Sequence, residues 1–103
     1  MQELYELDHL LYELEDHGGY FRDFISTAGI EAGIILLHPN EDDTQKPHSV
    51  DEVYYVIKGS GYIEINGKDH PVKQGIFIFV PAATKHRFHH NSQDLIIFYV
   101  LGK

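Results

Sequence analysis

Residues Pro47–Gly61, PHSVDEVYYVIKGSG, and Gly75–His86, GIFIFVPAATKH, decide how this chain is read. In the first stretch, His48 and Glu52 stand four residues apart at the entrance to a β-branched and aromatic run. In the second, His86 follows a strand pattern that stops at Pro81. Alternate side chains of a strand share a face, so residues 48, 50, 52 and 54 point one way. A helical reading, with His48 and Glu52 one turn apart, fails on context: Val53, Tyr54, Tyr55, Val56 and Ile57 form a poor helix and a good strand. Two imidazoles and one carboxylate, converging from different strands, can hold a single divalent metal and leave coordination positions open.

The same strand pattern extends over most of the chain. From Tyr20 onward, YFRDFIS, AGIILLH, VYYVIK, YIEI, HPVK, IFIFV, HRFHH and DLIIFYVL form about eight short apolar runs separated by turn residues. Asn66–Gly67 is a type I′ hairpin signal, because both central residues of that turn need positive φ. Regularly spaced short strands predict an all-β body, a small antiparallel barrel or jelly roll. The polar segment 40–47, NEDDTQKP, is the one loop of note and leads directly into His48.

The N-terminus is different. Leu4, Leu7, Leu11 and Leu14 fall at helical spacing, and Gly18–Gly19 stops the pattern, predicting one amphipathic helix over about residues 2–17. Glu3 and Glu6 suit its positive end and His17 its negative end. The leucine stripe is expected to pack on the body or on a second copy. The expected organisation is therefore a helical lead, residues 1–19, and a β body, residues 20–103.

Composition removes several classes of function. With 103 residues there is room for one core. No cysteine is present, which excludes disulfides, thiolate metal sites and thiol nucleophiles. A formal charge of −8 without a basic stripe argues against nucleic acid as a partner. Residues 1–52 hold 13 of the 16 acids against Arg22 and Lys46, an asymmetry that suits either docking of the lead or a solvated acidic face. No apolar run approaches the roughly 20 residues of a membrane span. The acidic start lacks the positive region of a secretory signal, so a cytoplasmic location is expected. Gly59–Gly61 reads as a strand turn rather than a phosphate-binding loop, and Ser60 has no base at readable spacing.

The spacing of the two opening stretches resembles the paired motifs of the cupins. In the first motif His48 takes the place of the second histidine, three residues precede Glu52, and six separate Glu52 from Gly59. In the second, Gly75, five residues, Pro81, Ala82, Ala83, two residues and His86 keep the order. The resemblance covers about residues 30–101. Lys46 stands where the first histidine belongs, Asn40 replaces a glycine, Ala83 replaces the glycine of Pro-x-Gly, and Asn91 comes one residue late.

The resemblance implies a cupin-like jelly-roll barrel and one divalent transition metal (Fe, Mn, Ni or Zn) on His48, Glu52 and His86. That set is like the two-His-one-carboxylate centre of non-haem iron oxygenases. Gln45, Lys46 and His90 are further candidates, as extra ligand, substrate anchor or pocket rim. Asp51, of opposite parity, is expected to face solvent or hold the loop. His89 is expected on the surface, facing away from His90. His9, His17, His38 and His70 have no partner at ligand spacing. Tyr54 and the other strand aromatics are expected mostly in the core. The activity implied is oxygenase- or isomerase-like chemistry on a small polar or aromatic metabolite. The alternative is a non-catalytic module that senses or sequesters a small ligand, with structural or no metal. A homodimer is implied in either case.

Overall fold

The computed structural model describes residues 2–103. Eight strands follow one helix: α1 (Leu7–His17), β1 (Phe21–Ser26), β2 (Ile30–Leu37), β3 (Glu52–Lys58), β4 (Ser60–Ile65), β5 (Lys68–Lys73), β6 (Phe77–Val80), β7 (His86–His89) and β8 (Leu95–Gly102). They form two antiparallel sheets, ordered β1-β2-β8-β3-β6 and β5-β4-β7. This is the jelly roll that the strand pattern predicts.

Alternation sorts the side chains. Ile35 and Leu37 of β2, Tyr54 and Val56 of β3, Ile63, Val72, Val80 and Phe88, and Leu95, Ile97, Tyr99 and Leu101 of β8 fill the space between the sheets. The opposite faces of β2 and β8, through Ile34, Leu36 and Ile96, carry the helix, which drives Leu14 among them. Fully burying a leucine side chain contributes about 1.5–3 kcal/mol. The helix therefore packs on its own domain. Arg22 on β1 meets Glu13 at 3.4 Å and His17 at 2.8 Å. His38 bridges Glu15 at 3.1 Å and Asp94 at 2.7 Å.

The helix is shorter than its leucine pattern. It begins at Leu7, with Glu6 extended at the N-cap and offering no side-chain cap, and Asp8 rather than Glu3 lies in the first turn. Residues 2–6 are not helical. Tyr5 instead packs its ring on Phe24 at 4.9 Å, and Leu4 is 85% exposed. A tertiary aromatic contact overrides a weak local propensity there.

Two backbone positions matter for the site. Gly33 lies under Tyr99: a Cβ there would collide with the phenol ring and the Arg22 carbonyl. Ala83, in the glycine position of the Pro-x-Gly turn, adopts φ of 61°. Asn40 and Asn66 also take positive φ, 67° and 51°, as asparagine tolerates.

Candidate functional site

Three segments bring the candidate ligands together. Glu52 opens β3 and faces inward, paired across the sheet with Leu101 and Val80. His86 opens β7 and also faces inward. His48 is not on a strand; it ends the 40–48 loop, and its placement depends on two hydrogen bonds from the 81–84 turn. The Ala83 N–H donates to the His48 carbonyl at 2.6 Å, and the Ala82 N–H donates to the Asp51 carboxylate at 2.9 Å. Asp51 thus holds the loop, while Glu52, one residue on, points into the barrel.

Glu52 is only 1% exposed, and neither carboxylate oxygen has a hydrogen-bond partner among the described residues; His48 Nε2 is likewise buried and unpartnered. His86 Nε2 lies 3.4 Å and His48 Nε2 3.9 Å from Glu52 Oε1. Buried polar groups are nearly always paired, since an unpaired one costs about 1–3 kcal/mol and a charged one more. Three such atoms converging on one point suit an electrophile such as a cation.

The tautomer of His86 follows from its neighbours. Nδ1 faces the Thr84 carbonyl at 2.9 Å, which only accepts, so Nδ1 carries a proton. Nε2 of the neutral ring then keeps its lone pair toward Glu52, held as backbone carbonyls hold metal-binding histidines. In this structure that lone pair accepts the Tyr54 hydroxyl at 2.8 Å. Burial is the largest influence on His86 and pulls its pKa down. The nearby Glu52 carboxylate, 3.4 Å from Nε2, and the Thr84 carbonyl outweigh it, leaving the pKa above the ordinary histidine value. Burial and then the Glu52 charge push the Tyr54 phenol up, so it stays protonated.

The cluster is compact without being a finished metal cage. Among the described residues no group of three or more His, Cys, Asp or Glu side chains is gathered in a metal-holding arrangement. The Tyr54 hydroxyl on His86 and the longer reach to His48 are the physical reasons.

A cavity of about 270 Å³ opens beside His48. Gln45, Lys46 and His48 line it from the loop; Phe21, Asp23, Glu31 and Tyr99 line it from the strands. The Tyr99 hydroxyl donates to Asp23. Gln45 is half-buried and donates to Asp43 at 3.1 Å, while Lys46 is exposed. Sequence reasoning missed Asp43. It is buried and accepts from the Tyr20 hydroxyl, the Gln45 backbone and the Phe88 N–H at 2.8 Å, pinning the loop to β7. Nothing local to NEDDTQKP marks it out from its acidic neighbours. Tyr54 was legible, since it shares the parity of Glu52. His90 does not reach this site; it leaves β7 at φ of 56° and lies outside the cavity.

Comparisons with known proteins bear on this geometry. The profile of the cupin domain matches residues 33–101. An uncharacterized protein of Streptomyces coelicolor is 34% identical over 98 residues, covering 95% of this chain and 93% of its own. A 5-nitrosalicylic acid 1,2-dioxygenase from Bradyrhizobium is 27% identical over 75 residues; the match covers 73% of this chain and only 36% of the dioxygenase. Among solved structures, an RmlC-like cupin with a double-stranded β-helix fold from Methanocaldococcus jannaschii superposes with a TM-score of 0.74 at 21% identity, covering 80% of this chain and 77% of that one. A predicted oxalate decarboxylase from Thermotoga maritima gives 0.70 at 24% identity over 80% and 77%. These two likenesses establish the fold alone.

Proposed function

The chain belongs to the cupin domain family, and we propose that it is a metal-binding member acting on a small polar or aromatic metabolite. The observation that carries this reading is Glu52, fully buried with both oxygens unpartnered, 3.4 Å from Nε2 of His86. His48, Glu52 and His86 would hold one divalent transition metal. When bound, such an ion supplies Lewis acidity or O₂ chemistry. The chain's own residues account for the rest. The Thr84 carbonyl orients His86, and the Tyr54 hydroxyl holds a proton next to the ligand set. The substrate would enter the 270 Å³ cavity, where Gln45 and Lys46 approach it from the loop. Among known relatives, the Bradyrhizobium dioxygenase favours an oxygenase-like reaction over others of the fold.

A second reading has its own observation. With the Tyr54 hydroxyl on His86 Nε2, the site is closed as it stands, which suits a non-catalytic module that senses or sequesters a small ligand. Elemental analysis of tag-free, dialysed protein distinguishes the two. The enzyme reading expects about one equivalent of Fe, Mn, Ni or Zn that is absent from His86→Ala; metal-free protein that still binds small ligands would support the sensor instead.

Homodimerisation is part of the proposal. Phe77 and Phe79 on the outer face of β6 are 74% and 59% exposed beside Val53 and Tyr55 of β3, an apolar patch of the kind that marks an interface. Light scattering should find a dimer that Phe77→Ser converts to monomer. A wild-type monomer would remove this part.

A further inference from the structure

At the far end of β7, His89 and the following His90 form a second cluster with Asp69 of β5. His89 Nε2 lies 2.8 Å from Asp69 Oδ1, and His89 Nδ1 lies 2.6 Å from His90 Nδ1. Adjacent residues of a strand face opposite ways, which is why the sequence kept this pair apart. The left-handed φ of His90, 56°, breaks the alternation and turns its ring back toward His89.

The bonding pattern fixes the protons. A carboxylate only accepts, so Asp69 takes the Nε2–H of His89, and in that tautomer Nδ1 of His89 accepts from His90. Two nitrogen lone pairs do not meet at 2.6 Å unless a positive centre lies between them. With that tautomer the centre is the Nδ1 proton of His90. A metal ion can replace it with no change in ring charge, because that proton only has to move to Nε2 of the exposed His90. His89 is held for the task. Its ring stacks on Tyr62 at 5.8 Å with its side chain 12% exposed, while Asp69 stands behind it as carboxylates stand behind metal-binding histidines. A cleft of about 260 Å³ runs beside the pair, with Glu41 and Asp42 on its opposite wall.

We propose that His89 and His90 form a second divalent-metal site, separate from the Glu52 cluster, for a borderline ion such as Zn²⁺, Ni²⁺ or Cu²⁺. The two Nδ1 atoms are the ligands, water completes the shell, and Asp69 orients His89. Imidazole donors select these ions over Mg²⁺ or Ca²⁺. Binding needs only a small opening of the pair, since cis nitrogens around such an ion lie about 3 Å apart. His86 and His89 are three residues apart on β7, so the two sites lie roughly 10 Å from each other along the strand.

The test uses the tag-free full chain and metal chlorides alone. In a His86→Ala background, with Glu52→Gln as a second background should the first fold poorly, titration with Cu²⁺ should give one exchangeable equivalent. Its electron paramagnetic resonance spectrum should carry histidine nitrogen couplings. Adding His90→Asn, which keeps a residue tolerant of positive φ, should lower affinity at least tenfold. Asp69→Asn should lower it about 10–100-fold. The urea midpoint of each should match its background. Undiminished Cu²⁺ binding in the His90→Asn variant, or no binding in a folded background, overturns the proposal.

Discussion

Replacing Glu52 by glutamine separates a ligand awaiting an ion from a structural ion pair, because the two predict opposite signs. Glu52 is 1% exposed, and both of its oxygens lack partners. Its nearest positive candidate, His86 Nε2, is 3.4 Å away and shared with the Tyr54 hydroxyl. A buried, poorly satisfied charged group costs a few kcal/mol, so neutralising it in chelator-treated protein should raise stability by about 1–2 kcal/mol. For a domain of this length that is a rise in Tm of roughly 5–10 °C. Added metal should reverse the order. An ion at 100 times its Kd stabilises the native state by about 2.7 kcal/mol, and the glutamine variant forfeits that gain. Any stabilisation through His89 and His90 is common to both proteins and cancels. The assay is a pair of thermal melts, with chelator and with Mn²⁺ or Zn²⁺. Were Glu52 instead the obligatory partner of a charged His86, its loss would destabilise the chelated protein by about 3–5 kcal/mol. That outcome, or identical metal-dependent shifts in both proteins, refutes the reasoning.

Three further outcomes are expected. Ala83→Gly relieves a left-handed backbone worth about 1–2 kcal/mol, partly offset by the freedom of glycine in the unfolded chain, so the urea midpoint should rise modestly; a fall would mean φ of 61° carries no strain. Gly33→Ala puts a methyl group into the Tyr99 ring and the Arg22 carbonyl, with an expected loss of about 3 kcal/mol or more in denaturant unfolding. The pH dependence of helix docking should follow His38, whose pKa is raised chiefly by the hydrogen bond to Asp94. A raised folded-state pKa contributes stability that is fully present below the unfolded value near 6.5 and fades as pH climbs through the folded one. Amide exchange in α1, referred to the intrinsic rate at each pH, should therefore speed up above that range. His38→Asn should flatten the profile; an unchanged profile would place the titration elsewhere.

Local chemistry was legible from residue order. Period-two alternation placed eight strands, Asn66–Gly67 marked the β4–β5 turn, and Glu52 and His86 were readable as inward-facing because strand parity is a property of neighbours along the chain. The end of the helix was legible at Gly18, but its start was not, since a contact between Tyr5 and Phe24 decides where residues 2–6 go. Tertiary structure alone decided the rest. Asp43 grips the Phe88 N–H across 45 residues, and the 81–84 turn holds the carbonyl of His48. Tyr54 reaches His86 across the barrel, and His90 turns back on His89 through one left-handed residue. Each of these depends on the approach of segments distant in the chain or on a single backbone dihedral. Residue type and spacing carry neither kind of information.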